Sequence, residues 1–118
     1  MRKRTIMLSA FFALVWGQVI AADPAQITQG RVLATQLCAS CHQVSPEQRP
    51  PMRVYNAQTH DAQKTLSLME IAKWNGRDAH FLQNILEEPH YPMRKSILSF
   101  REREAIIAYI QSLEKDSP

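Results

Sequence analysis

Cys38, Cys41 and His42 fall within a single pentapeptide, and two thiols with an imidazole at that separation make a reactive set. Cys38-Ala39-Ser40-Cys41-His42 has the form C-x-x-C-H, the signature of covalent haem attachment. Thiols three positions apart lie on one side of a helical turn, from which both reach the vinyl groups along one porphyrin edge. The imidazole that follows can then hold the iron from one face. Two other chemistries use part of the pattern. C-x-x-C serves as a thiol–disulfide couple, but in a βαβ setting, and no strand pattern precedes Cys38. It also forms half of a zinc site, but no second C-x-x-C and no H-x-x-x-H pair occurs in the chain. The histidine directly after Cys41, with an export signal upstream, favours haem.

That export signal is the first element. Met1-Arg2-Lys3-Arg4 is a positive head, Thr5 to Ala22 is uncharged and mostly apolar, and the run ends in small residues before Asp23. Residues 1–22 are expected to be a secretory signal peptide cleaved after Ala21 or Ala22, which leaves 23–118 as one small domain in the periplasm or otherwise exported. An uncleaved membrane anchor is the alternative. The run is short for a span and is interrupted by Gly17 and Gln18. The chain of 118 residues carries 14 Lys and Arg against 11 Asp and Glu. Arg2, Lys3 and Arg4 leave with the signal, so the domain itself is balanced. The basic excess therefore belongs to export and gives no reason to expect nucleic acid as a partner. Both cysteines lie in the attachment motif, so no disulfide staples the domain. A chain this small leans on a bound group for its core.

The elements that must position the motif are helical. Asp23 to Gln26 reads as a flexible lead-in because of Pro24. From Ile27, the residues Gly30, Ala34, Leu37, Cys38 and Cys41 follow one stripe at helical spacing, with Gly30 and Ala34 forming a small-residue notch. His42 to Gln63, with Pro46, Pro50 and Pro51, reads as a loop, in which Pro50-Pro51-Met52 and Val54 offer an apolar strip. A short helix is expected from Leu66 to about Trp74, stopped by Asn75-Gly76. Asp78 caps the next helix, whose buried stripe is Phe81, Leu82, Ile85 and Leu86. Pro89 to Leu98 is irregular. Ser99 and Glu102 form a capping box, S-x-x-E, and Ile106, Tyr109, Ile110 and Leu113 make an amphipathic face behind it. Arg101 to Glu104 alternate in sign, which predicts a solvated first turn. The fold class is all-α, three to four helices packed around one covalently bound group.

In this setting the chain resembles a small class I cytochrome c of the short bacterial periplasmic kind. Four features carry the resemblance: Gly30 eight residues before Cys38; the C-x-x-C-H motif; Pro89-His90-x-x-Met93 leading through Leu98 into the Ser99 capping box; and Ala108-Tyr109-Ile110 with Leu113. It implies one haem c bound through Cys38 and Cys41, with His42 and Met93 as the iron ligands. It also implies that Tyr109 packs against Gly30. The implied function is one-electron transfer between redox partner proteins rather than enzyme catalysis. Two alternatives go with it: a cytochrome subunit of a larger dehydrogenase or oxidase, or a haem peroxidase or ligand sensor if the distal position is open. One departure bears on the distal ligand. The family usually has Met-Pro, whereas here Pro92 precedes Met93 and Arg94 follows it, so His90 is the rival ligand. Met52 and Met69 are expected to pack, His60 to sit exposed in a loop, and His80 to lie on a helix. Trp74 and Tyr55 either hydrogen-bond a haem propionate or pack. Arg94 and Lys95, beside the ligand, could meet acidic residues of a partner.

Overall fold

Asp23 accepts a hydrogen bond from the Ala25 N–H at 3.1 Å, and the chain is helical from the next residue. The structure is a computed structural model that describes residues 22–51, 54–56, 61–63 and 65–114; residues 1–21, all of the expected signal except Ala22, lie outside them. Helix α1 runs Pro24–Leu37, strands β1 and β2 run Val54–Asn56 and Asp61–Gln63, and helices α2, α3 and α4 run Leu68–Ala72, Ala79–Glu87 and Phe100–Ser112. The lead-in expected at Asp23 to Gln26 is thus helix. Pro24 occupies the first turn, where a missing N–H costs nothing and a fixed φ helps.

Each later helix starts at a polar cap. Ser67 and Glu70 form a capping box at α2, with the Glu70 N–H on Ser67 Oγ at 3.1 Å and the Ser67 N–H on Glu70 Oε2 at 2.7 Å. Asp78 caps α3 through the Phe81 N–H at 2.9 Å. Ser99 and Glu102 cap α4 as the sequence predicts, and the hydrogen bonds to Ser99 hold the Glu102 carboxyl below its usual range. Between α2 and α3 the chain turns through Gly76, whose φ of 87° is open to glycine at little cost. In the 42–63 stretch, β1 and β2 pair antiparallel with Tyr55 opposite Ala62. This small ribbon is an addition to the expected loop and leaves the architecture all-α. Met52 and His60 lie outside the described residues.

The core is organised on α4. Ala105 to Ile110 are all buried, so the helix is covered all round rather than along the single face that periodicity suggests. The reason is that α1, α2 and α3 all pack against it. Ile106 and Ile110, nearly without exposure, each contribute about 1.5–3 kcal/mol of burial. Where α1 crosses α4, Gly30 is backed against Ala105 and Tyr109. A Cβ on Gly30 would stand 2.8 Å from Tyr109 Cβ and 2.5 Å from the Ala105 carbonyl carbon. The expected partnership of Gly30 with Tyr109 is therefore present, with the Ala105 backbone closer still. Leu37, placed on the buried stripe by spacing, is exposed, and Leu33 packs on the core instead.

Candidate haem site

Helix α1, which crosses α4 at Gly30, ends with Cys38 as its C-cap. The Cys38 N–H still bonds Ala34 O at 2.9 Å, while Cys38 O receives both the Cys41 N–H at 3.1 Å and the His42 N–H at 2.8 Å. One carbonyl thus folds the whole Cys-x-x-Cys-His segment into a turn. Cys38 and Ala39 pack against the core. Burial pushes the Cys38 thiol above its ordinary pKa, and the neighbouring Cys41 adds to the rise. A reactive redox pair works through a depressed thiol pKa, so this setting is opposite to what a thiol–disulfide couple requires. Among the described residues, no group of three or more His, Cys, Asp and Glu side chains converges as a metal site would require.

His42 is held by an atom far away in sequence. Its Nδ1 lies 2.7 Å from Leu66 O. A carbonyl oxygen only accepts, so Nδ1 carries a proton, and Nε2 is the ring nitrogen left to bind a metal. This is the arrangement a metal-binding imidazole needs, with the outer nitrogen fixed by a backbone acceptor. The segment after His42 is tied as well. Gln43 O accepts from the Leu68 N–H at 2.9 Å, and Val44 O accepts from the Tyr109 hydroxyl at 2.6 Å. The contacts of Leu66 O and the Tyr109 hydroxyl with this segment are ones that sequence reasoning missed; a backbone carbonyl has no residue-type signal to find.

Met93 stands in a separate loop between α3 and α4. It is partly buried, its N–H donates to His90 O at 2.9 Å, and the Tyr91–Pro92 bond is cis. The loop's far end is anchored by Leu98, which packs on the core. Arg103 closes the loop's base. Its Nη1 donates to Leu98 O at 2.6 Å and its Nη2 lies 3.0 Å from Glu87 Oε1, at the end of α3. The Arg103 side chain is only 17% exposed, and its Nε is buried without a hydrogen-bond partner. The alternating charges of Arg101 to Glu104 are therefore not all solvated, as charge pattern alone predicts. His90 is exposed, with Nδ1 3.1 Å from Tyr91 O. His80 is exposed on α3 beside Asn84. Met69 packs on the core. Trp74 is half exposed and stacks under the Arg77 guanidinium, 3.6 Å from its ring centroid, a cation–π contact. Tyr55 lies on β1, and its side chain is outside the described residues.

The donor set fits haem: two thiols on one turn, the inner one packed against the core, followed by an imidazole whose Nδ1 is tied to a backbone carbonyl. Fold and turn together define a small all-α domain of the haem-attaching class. The sequence profile described as Cytochrome c matches residues 27–114, and the chain belongs to the cytochrome c family. Its cofactor is covalently bound haem c, and its role is that of a haem-binding electron carrier. No curated protein and no solved structure matches the chain.

Proposed function

We infer that the protein is a monohaem, one-electron carrier between redox proteins, with Cys38 and Cys41 holding haem c through thioether bonds and His42 and Met93 as axial ligands. The observation that carries this reading is the His42 Nδ1 contact with Leu66 O, which leaves Nε2 as the free donor. When bound, haem supplies the ferric–ferrous couple, and the protein sets its potential and exposure. His42 offers an imidazole whose orientation is fixed in advance. Met93 offers a thioether, a soft donor that favours the reduced state. With His42 and Met93 both holding the iron, the group would rearrange little on electron transfer and would leave no open site for a substrate. Export as a cleaved precursor, through residues 1–22, accompanies this role. No helix among the described residues is long and apolar enough to cross a membrane.

The partner surface is the Met93 loop and its flank. Tyr91, Ile97 and Phe100 are exposed large apolar side chains there, and Arg94 is exposed between them. Lys95 pairs with Glu88 at 3.3 Å, both well exposed, so that pair contributes little and opens readily. An acidic redox partner suits this surface. The ligand assignment is tested with Met93→Ala and His90→Ala. Met93→Ala should abolish the weak red-end absorption of ferric sulfur–iron coordination, lower the potential and let added ligands bind. His90→Ala should leave all three largely intact. The reverse pattern would make the protein a bis-histidine cytochrome.

A further inference from the structure

Gln48 uses both ends of its side-chain amide on the segment that carries His42. Its Oε1 accepts from the Val44 N–H at 2.9 Å, and its Nε2 donates to Ala39 O at 3.2 Å. Ala39 lies inside the Cys-x-x-Cys-His turn and Val44 lies two residues beyond His42, so one side chain brackets Ser40 to Gln43. The backbone of Gln48 is held in turn: its N–H bonds Ser45 O at 3.2 Å and its carbonyl accepts from Gln43 Nε2 at 2.9 Å. Residues 43–51 contain no helix or strand, so this stretch has no regular ladder of its own. The amide of Gln48 supplies the missing donor and acceptor at once. Val44 is then gripped from two sides, its N–H by Gln48 and its carbonyl by Tyr109.

We propose that Gln48 is a positioning residue for His42, bracing the Ala39–Val44 segment so that the imidazole keeps its short hydrogen bond to Leu66 O. This rests on the reading of His42 as an iron ligand. Hydrogen bonds weaken steeply with misalignment, so a small backbone shift at His42 lengthens the Nδ1–Leu66 contact. A weaker outer bond makes the imidazole a poorer donor at Nε2. The oxidised iron loses more from that than the reduced iron, and the potential rises. The role requires an amide of this length. Met matches the length but offers neither donor nor acceptor, and Asn keeps the amide but is one methylene short of spanning Ala39 and Val44.

The test uses the haem-loaded protein with Gln48→Met and Gln48→Asn, both charge-neutral. Two quantities are measured: hydrogen exchange of the Val44 amide, and the reduction potential. In Gln48→Met, Val44 exchange should rise about five- to tenfold, the factor carried by one ordinary protein hydrogen bond. The potential should shift upward in both variants. Unchanged Val44 exchange in Gln48→Met would overturn the brace itself. Faster exchange at an unchanged potential would show a structural tie that does not act on the iron, and would overturn the positioning role. His42→Ala separates the two readings: a spectrum unaltered by that substitution would overturn the ligand assignment, and the inference with it, even where exchange still shows the brace.

Discussion

Gly30→Ala tests the helix crossing that places Cys38, and it does so through the sign of its effect. In an ordinary helix interior, Ala in place of Gly stabilises by about 0.8–1.0 kcal/mol. At Gly30 the added Cβ would lie 2.5 Å from the carbonyl carbon of Ala105 and 2.8 Å from Tyr109 Cβ. Carbon atoms in good contact stand about 3.5–4.0 Å apart, so α1 and α4 would have to separate by roughly an ångström. The obstacle is helix backbone, which cannot swing aside as the end of a side chain can. Overpacking costs about 1–3 kcal/mol, and a backbone clash belongs at the upper end. After the propensity gain, a net loss of about 2 kcal/mol is expected, or roughly 8–16 °C in melting temperature for a domain of this size. Thermal unfolding of the haem-loaded protein, followed by far-ultraviolet circular dichroism, reads it directly. Gly30→Leu should fall further. A Gly30→Ala variant that melts at or above the wild type would refute the crossing, because helix propensity would then be acting unopposed.

Arg103→Met should cost about 1–3 kcal/mol, discounted for the half-exposed Glu87, and should speed amide exchange across 94–98; an unchanged melting curve would mean that the guanidinium does not clamp the loop. Tyr109→Phe leaves Val44 O without its buried donor and should destabilise by about 1–3 kcal/mol. The Tyr109 phenol is raised above its ordinary pKa, mainly by burial, with Glu47 adding and Arg31 opposing. A raised folded value means that its contribution is complete below about pH 10, the unfolded tyrosine value, and is lost as pH rises through the folded one. The wild type should therefore lose stability on the alkaline side more steeply than Tyr109→Phe, as denaturant titrations at several pH values would show.

What was legible in the sequence was local chemistry. The Cys38–His42 turn, the Asp78 cap, the Asn75-Gly76 stop and the Ser99–Glu102 box each depend on residues a few positions apart, whose types state their geometry. Gly30 with Tyr109 was legible only through a family resemblance, since the two are far apart in the chain. Pro24 misled because its reputation as a breaker applies to helix interiors and not to the first turn. Ser67-x-x-Glu70 carries the same S-x-x-E signature as α4 and marks the start of α2 one residue beyond the expected Leu66. Periodicity described one face of α4, because it knows nothing of the three neighbours that cover the rest. Arg103 looked solvated among alternating charges; its burial follows from where α3 ends, at Glu87.

The helix packing and the ligand geometry are not separable properties here, because Tyr109 belongs to both. Its Cβ side backs Gly30 and so fixes the angle at which α1 delivers Cys38 to the turn. Its hydroxyl, at the other end of the same side chain, holds Val44 O two residues beyond His42. A rigid aromatic ring between those contacts transmits a shift at one to the other with little loss, since a packed side chain has no low-cost rotamer to absorb it. Opening the α1–α4 crossing should therefore disturb the His42 segment as well as the core. Tyr109→Phe keeps the Cβ contact at Gly30 and releases only Val44, whereas Gly30→Ala pushes on the Cβ end and pulls on both. The two substitutions consequently divide the fold's contribution to His42 into a part carried by packing and a part carried by one hydrogen bond.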